Sequence, residues 1–418
     1  MTPRRISPSD AASLVQPGDA LYVTGCLLPP AAFVDALQAD PARSAGVRIT
    51  STIAPGFPNP FDFDKLHPTA VLTGPLMLSA FTSAQRQGRY RALPVTFSGF
   101  LCHLATQRFD LGVVQVCPPD ANGRYSLGPS VEFWPAAMQR CRRVLAVVNP
   151  LLRPLPYAVS LEPGRVDAVC EAAAPIPEYL TDTDDATEAI GRFVAGLIDD
   201  GCTLQTGLGK VPAAIARSLR GHRGLKIHTG MVSDGLMDLA AAGALADGEL
   251  HRMAVVAGSG ALYDWLPQAQ DLRIVGCDET HAPAGLARLE RFVTVNSALE
   301  VDLFGQCNLE FQAGRAVSSA GAAPDFARAA RTSPGGISIV ALGATYAGGS
   351  RSRIVSALAS GTVASLSRLE VDAVVTEFGV ADLRQASVHE RAAALIAVAA
   401  PPFREDLERA WFERARSL

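Results

Sequence analysis

Several things are missing from this chain. No apolar stretch reaches the ~20 residues that a bilayer-spanning helix needs before glycine, proline or a charge interrupts it. The opening run MTPRRISPSDAASLVQPGDALYV carries Arg4 and Arg5, but no continuous apolar segment follows them, so no secretory leader is expected. There is no run of lysine or arginine, and the formal net charge is -4, which argues against a nucleic-acid groove or a polybasic membrane patch. The eight cysteines (Cys26, Cys102, Cys117, Cys141, Cys170, Cys202, Cys277, Cys307) stand singly, without a CxxC pair or a Cys/His cluster. Reduced thiols in a cytoplasmic protein, and no metal site, are the expectation. A serine hydrolase would need G-x-S-x-G, which Gly258-Ser259-Gly260 does not supply. Cys102 and His103 are adjacent, and direct neighbours point apart in a helix or strand, which argues against a thiol–imidazole pair.

What is present is a long alternation. ALYVTG (20–25), VRITSTIA (47–54), LGVVQVC (111–117) and RVLAVVN (143–149) read as strands buried on both faces. AAFVDALQAD (31–40) and VEFWPAAMQRC (131–141) read as amphipathic helices. The rhythm resumes with CTLQTG (202–207), LKIHTG (225–230), MAVVAGS (253–259), LRIVGC (272–277), GISIVALG (336–343) and VDAVVTEFG (371–379). Strand and helix alternating throughout predicts an α/β protein built on open, mostly parallel sheets. With 418 residues, 48% hydrophobic and 19% charged, two domains of about 200 residues fit better than one core. AAAPIPEYLTDTDDATEAI (172–190) breaks the rhythm with prolines and turn formers, then begins a helix with an acidic first turn. The boundary is placed near residue 185, giving domains 1–185 and 186–418.

Four stretches invite chemistry. In CTLQTGLGKVPAAIARSLRG (202–221) a strand runs into Gly207-Leu208-Gly209, and Pro212 stands near the start of a helix. Glycines admit a ligand close to the backbone, and the helix start offers unpaired N–H groups to an anion or a developing oxyanion. A plain strand-to-helix turn explains the same residues. SSAGAAPDFARAARTSPGGISIVALGAT (318–345) places Gly321 in one loop and Gly335-Gly336 in another, again with a turn as the simple reading. CPPDANGRYSLG (117–128) reads as a surface turn. VTVNSALEVDLFGQCNLE (293–310) sets Asn296, Glu300, Asp302 and Gln306 among apolar residues, where each needs a hydrogen-bond partner.

Taken together, TDTDDATEAIGRF, LIDDGCTLQTGLGKVPAAI, IHTGMVSDGLMDL, VNSALEVDLFGQCNLE, SRIV (352–355) and VTEFGVADLRQASVHERAAALI (375–396) resemble the acetyl-CoA hydrolase/transferase family of class I CoA-transferases. VQVCPPDANGRYSLG and VNPLL in the N-terminal half resemble it as well, and the match runs in order over nearly the full chain. The resemblance implies two open α/β domains with the acyl-CoA site in the cleft between them. It further implies a coenzyme A thioester as substrate, no permanently bound cofactor, and a homodimer. Gly207, Gly209, Gly321, Gly335, Gly336, Asn296 and Gln306 are the CoA contacts it suggests, with Arg353, Glu377 and Gly379 among the retained scaffold motifs.

The departures from the family pattern are local. Family members carry Thr-Glu-Met where this chain has Thr229-Gly230-Met231. The family's glutamate attacks the thioester carbonyl and then carries CoA as a glutamyl thioester; glycine can do neither. The family's His-Leu-Ser-Glu reads Thr96-Phe97-Ser98-Gly99, and its glycine pair plus glutamine before Asp-Phe reads Gly321-Ala322-Ala323 before Pro324-Asp325-Phe326. Exchanging two glutamates for glycines removes negative charge and opens volume, which suits a larger or more apolar acyl chain. The expected function is therefore acyl transfer from CoA, or from a carrier-protein thioester, to a non-carboxylate acceptor with no glutamyl intermediate. His228 stands two residues before Gly230, on the same face if a strand continues, and is the first candidate base; Glu377 is the second. A structural histidine at a strand end and a loop-holding glutamate are the plainer readings of the same residues. Two further functions stay open: conventional CoA transfer or hydrolysis through a relocated nucleophile, and a catalytically inactive thioester-binding subunit.

Overall fold

The computed structural model describes residues 3–417. Within them, the residues up to Tyr179 form one compact unit together with Arg252–Ala282, and Leu180–His251 forms the other together with the residues from Pro283 onward. The single boundary near residue 185 read from the sequence has no counterpart for 252–282, a segment that departs from the second unit and returns to the first. Local pattern cannot announce such a return, because a short apolar run looks the same whichever unit it joins.

The first unit is built on strands β1 (Arg4–Arg5), β2 (Ala20–Val23), β3 (Arg48–Ser51), β4 (Val71–Gly74), β5 (Tyr90–Ala92), β6 (Leu111–Val116), β7 (Val144–Val148) and β8 (Ala168–Glu171). They lie in the order β1-β8-β7-β6-β2-β3-β4-β5, every neighbouring pair parallel. Every residue of β6 and β7 is buried, as both-face coverage of a parallel sheet requires. Helix α1 (Ala31–Ala39) sends Phe33, Val34 and Leu37 into the same core as Leu21, Val23 and Ile49. Helix α2 (Phe97–Thr106) starts at Thr96, whose hydroxyl accepts the Gly99 N–H at 3.2 Å. The helix expected over 131–141 shortens to α3 (Trp134–Met138), because Glu132 takes a left-handed backbone with φ 52°. MAVVAGS and LRIVGC yield short strands, the end of His251–Met253, Val255–Val256 and Leu272–Ile274, which lie outside both large sheets.

The second unit contains strands β9 (Thr203–Gln205), β10 (Lys226–Ile227), β11 (Phe292–Asn296), β12 (Ile337–Ala341), β13 (Ala373–Thr376) and β14 (Gly379–Asp382). Their order is β10-β9-β11-β12-β13-β14, parallel throughout except for the last pair. Helix α4 (Asp185–Ala195) begins as its acidic first turn suggests: Asp184 accepts the Thr187 N–H at 2.9 Å, and the Thr187 hydroxyl accepts the Asp184 N–H at 2.9 Å. It packs on α5 (Lys210–Ser218), followed in the chain by α6 (Gly235–Ala241) and, before β12, by α7 (Ala323–Thr332).

The contact between α4 and α5 is close because residue 191 has no side chain. A Cβ on Gly191 would lie 2.7 Å from the Ala214 carbonyl carbon and oxygen, and backbone cannot swing aside. Gly191→Ala should therefore destabilise the protein by about 1–3 kcal/mol, read as a lower urea midpoint. Gly221→Ala, which meets nothing within 4 Å, should shift stability by no more than about 0.5 kcal/mol.

Candidate active site

In an open parallel sheet, ligands bind beyond the carboxyl ends of the strands, where neighbouring connections diverge to opposite sides. In the second unit that point lies between β9 and β11: from β9 the sheet grows to β10 on one side and to β11, β12 and β13 on the other. The side chains leaving these two strands touch there, with Asn296 Nδ2 donating to Gln205 Oε1 at 3.3 Å.

Beyond Gln205 the chain turns through Thr206, Gly207, Leu208 and Gly209 into α5. Gly209 has φ 116°, which L side chains rarely adopt, and no side chain caps the helix start. Gly207 is a different case: a Cβ there would meet nothing within 4 Å, so no protein contact demands glycine. The turn thus exposes backbone N–H groups without a steric guard.

Alongside it runs the 228–230 segment. His228 N–H donates to Leu204 O at 3.0 Å, the last pairing of β10 with β9, and Thr229 Oγ1 donates to Thr206 O at 2.6 Å. That second bond brings the backbone at Gly230 beside the glycine turn. Gly230 itself lies in a bend, so the two-residue strand period does not relate it to His228 as the sequence suggested. The His228 ring is buried edge-on against Phe292, centroids 6.1 Å apart, next to the apolar cluster of Leu286, Phe326 and Ala330.

Glu377 follows β13 at the same carboxyl edge, and its Oε2 accepts the Ala344 N–H at 2.8 Å, pinning the loop that leaves β12. Between β11 and β12 at this edge is a cavity of about 320 Å3, lined by Val211 of α5, Ser297, Leu299, Ser318, Leu342 and Arg353 among others. Arg353 is fixed by its backbone, whose N–H donates to Ala344 O and whose carbonyl accepts from Val301, both at 2.8 Å. Its Nη1 donates to Leu299 O at 3.0 Å, and its guanidinium lies over the Tyr346 ring, 5.1 Å from the centroid. Burial draws the guanidinium below its usual range, with Tyr346 and Glu300 opposing.

The structure groups some of the expected residues and separates others. Gly207, Gly209, Gly230, Asn296 and Glu377 gather at the carboxyl ends of the strands; the backbone of His228 ends β10 there too, but its ring packs back on Phe292 at the start of β11. Gly321, with φ 55°, sits in the turn just before α7, shortly after the cavity-lining Ser318. Gly335 and Gly336 precede β12 and so occupy the opposite, amino end of the sheet, where a Cβ on Gly336 would lie 2.3 Å from Ala330 O. Their glycine identity belongs to packing. Gln306 is committed to Asp302, donating from its backbone N–H to Oδ1 at 2.9 Å and from Nε2 to Oδ2 at 2.7 Å. In the first unit, exposed Cys102 and half-buried His103 lie side by side on α2, and the imidazole stacks on Phe100.

One group escaped the sequence reading. Glu132 is buried in the first unit, where it accepts from Ser130 Oγ at 3.0 Å and from the Thr52 hydroxyl. Thr52 follows β3, and Gly25 and Cys26 follow β2, at that sheet's own divergence between β2 and β6. Burial pushes the carboxyl up to about 7, against the opposing pull of Thr52, Ser130 and the Gly25 N–H. Its titratable neighbours Cys26, Cys277 and Tyr22 are driven upward chiefly by their own burial and further by Glu132, so none of them is charged in this range. The only signal in the sequence was an acid between Val131 and Phe133-Trp134, which a helical period absorbs without comment.

Among the described residues, no helix is long and apolar enough to cross a membrane, and no group of three or more His, Cys, Asp or Glu is arranged to hold a metal ion.

Two parallel α/β sheets, with glycine turns and polar side chains at the divergence of their strands, define a ligand-binding α/β enzyme scaffold. Residues 258–411 match the acetyl-CoA hydrolase/transferase C-terminal domain. The chain is 35% identical to a 4-hydroxybutyrate coenzyme A transferase of Clostridium kluyveri over 305 residues, 71% of each protein. The structure superposes on RipA from Yersinia pestis with a TM-score of 0.90 and 25% identity, covering 99% of this chain and 98% of that one. A 4-hydroxybutyrate CoA-transferase from Porphyromonas gingivalis gives a TM-score of 0.80 at 29% identity, with 98% of both chains covered. The chain belongs to the acetyl-CoA hydrolase/transferase family, a family of acyl-CoA transferases and hydrolases.

Glu132 makes stability depend on pH. Its carboxyl titrates near 7 when folded but near the ordinary 4.5 when unfolded, so between these values the unfolded chain has lost a proton that the folded chain keeps. Stability therefore falls as pH rises through that window, by about 3 kcal/mol in all, and levels off above it. Glu132→Gln should flatten the dependence, and denaturant midpoints at pH 5 and pH 8 would show it.

Proposed function

We propose that this protein moves the acyl group of a CoA thioester, or of a carrier-protein thioester, onto a non-carboxylate acceptor without passing through an enzyme-bound glutamyl thioester. The observation that carries this reading is the Thr229–Thr206 hydrogen bond, which brings the backbone at 230 beside the glycine turn while residue 230 offers no carboxylate. By resemblance of IHTGMVSDGLMDL, position 230 is where the family places its nucleophile. Glu377, the carboxylate at the same edge, is engaged by the Ala344 N–H, which suits a loop-positioning role better than attack.

In this mechanism the acceptor's oxygen or nitrogen bonds to the thioester carbon, the C–S bond breaks, and the sulfur leaves as the CoA thiolate. The acceptor's proton passes to a base, for which His228 is the proposed group, its ring turning from Phe292 to reach the acceptor. Backbone N–H groups at Gly207 to Gly209 stabilise the oxyanion as it forms, an effect worth several kcal/mol without any covalent help from the protein. The acceptor is water, a hydroxyl or an amine. We take the assembly to be a homodimer.

Incubation with medium-chain acyl-CoAs should release free CoA thiol, in buffer alone where water is the acceptor and otherwise only when a hydroxyl or amine acceptor is supplied, and neither hydroxylamine nor borohydride should trap an enzyme adduct. A trapped glutamyl thioester during turnover would return the protein to conventional CoA transfer. Failure to bind or consume any thioester would end the enzymatic reading. Gly230→Glu should gain CoA exchange between carboxylates, measured as CoA moving from acetyl-CoA to butyrate, on the order of 10^4-fold or more over the natural chain.

A further inference from the structure

The cavity at the carboxyl ends of β11 and β12 has walls of one kind and a single exception. Val211, Ala298, Leu299, Leu309 and Leu342 make it apolar, Ser297 and Ser318 add hydroxyls, and Arg353 is its one charged lining residue. Among the described residues no carboxylate forms an ion pair with Arg353. Its recorded polar contact is the bond from Nη1 to the Leu299 carbonyl, while the opposite support is the Tyr346 ring.

A guanidinium presents five donors in a planar fork, and here most of that fork has no acceptor. A half-buried cation in an apolar cavity is costly unless an anion joins it. Its backbone is held on both sides, by Ala344 and Val301, and the guanidinium itself by the Leu299 carbonyl and the Tyr346 ring. Glu300 acts on the guanidinium from nearby but forms no ion pair with it, and the donors left over match the geometry of a carboxylate or phosphate, which they can grip through two parallel hydrogen bonds.

We propose that Arg353 is the anion anchor of this cavity, holding an oxyanion carried by the thioester substrate. Two parts of such a substrate bear that chemistry: the phosphates of CoA, and a carboxylate at the far end of the acyl group. The inference rests on the thioester reading above, and binding rather than turnover tests it.

Binding of acetyl-CoA, acetyl-pantetheine, butyryl-pantetheine and succinyl-pantetheine to the full-length chain would be measured by calorimetry at one ionic strength, with Arg353→Met and Arg353→Lys beside the natural protein. If the anion is a phosphate, Arg353→Met weakens acetyl-CoA about 10-fold or more and leaves acetyl-pantetheine unchanged. If it is the distal carboxylate, the same loss falls on succinyl-pantetheine and spares butyryl-pantetheine. Arg353→Lys should retain part of the affinity in either case. Equal binding of all four ligands by Arg353→Met and the natural chain, within twofold, overturns the proposal, and so does an equal loss for charged and neutral ligands. Should Arg353→Met fail to fold, the natural chain decides: no preference for acetyl-CoA over acetyl-pantetheine, nor for succinyl- over butyryl-pantetheine, removes the anion site. A protein that binds as stated but transfers to no acceptor would defeat the transfer reading and leave the anchor in place. Transfer with an unmoved Arg353→Met would do the reverse.

Discussion

A single hydrogen bond organises the second unit's functional edge. Thr229 Oγ1 reaches the Thr206 carbonyl at 2.6 Å and ties two loops that leave neighbouring strands. Thr229 is 1% exposed, so the bond is shielded from water and cannot be replaced by solvent at no cost. Without it, the bend at Gly230 would be free to drift from the glycine turn, and the pairing of β10, only two residues long, would do little to hold it.

The two sheets make an instructive pair. Each has a point where strand connections diverge, and each has glycine there, but with opposite contents. In the first unit, Gly25 lets the exits of β2 and β3 approach so closely that a Cβ would lie 2.6 Å from the Thr52 carbonyl carbon, and a buried carboxyl, Glu132, fills the space beyond. In the second, Gly207 faces open space, and residue 230 has no side chain to fill it. A buried acid that is neutral below about pH 7 serves packing and hydrogen bonding. At the second sheet's edge, the turn at Gly207 is left open beside a helix start. The same topology has been put to different use.

Charge at the second edge follows the same logic. Glu377 is occupied by a backbone amide, Asn296 by Gln205, and Gln306 by Asp302, so these polar groups hold one another rather than wait for a substrate. Arg353 is the exception, supported by a carbonyl and a ring, with Glu300 near it but in no ion pair.

Sequence alone determined the α/β class, the parallel sheets, the helix start at Asp184 and the strand-to-helix turn at Gly207 to Gly209, because each is written in residues next to one another. The family was also legible, since its motifs are short and ordered. Tertiary structure decided the rest. It put Gly335 and Gly336 at the far end of the sheet, returned 252–282 to the first unit, and turned the start of an expected helix into the left-handed corner that buries Glu132. It also joined residues 206 and 229, and set Arg353 in a cavity without an acid. These outcomes depend on which distant segments meet, and no local period or propensity encodes a meeting.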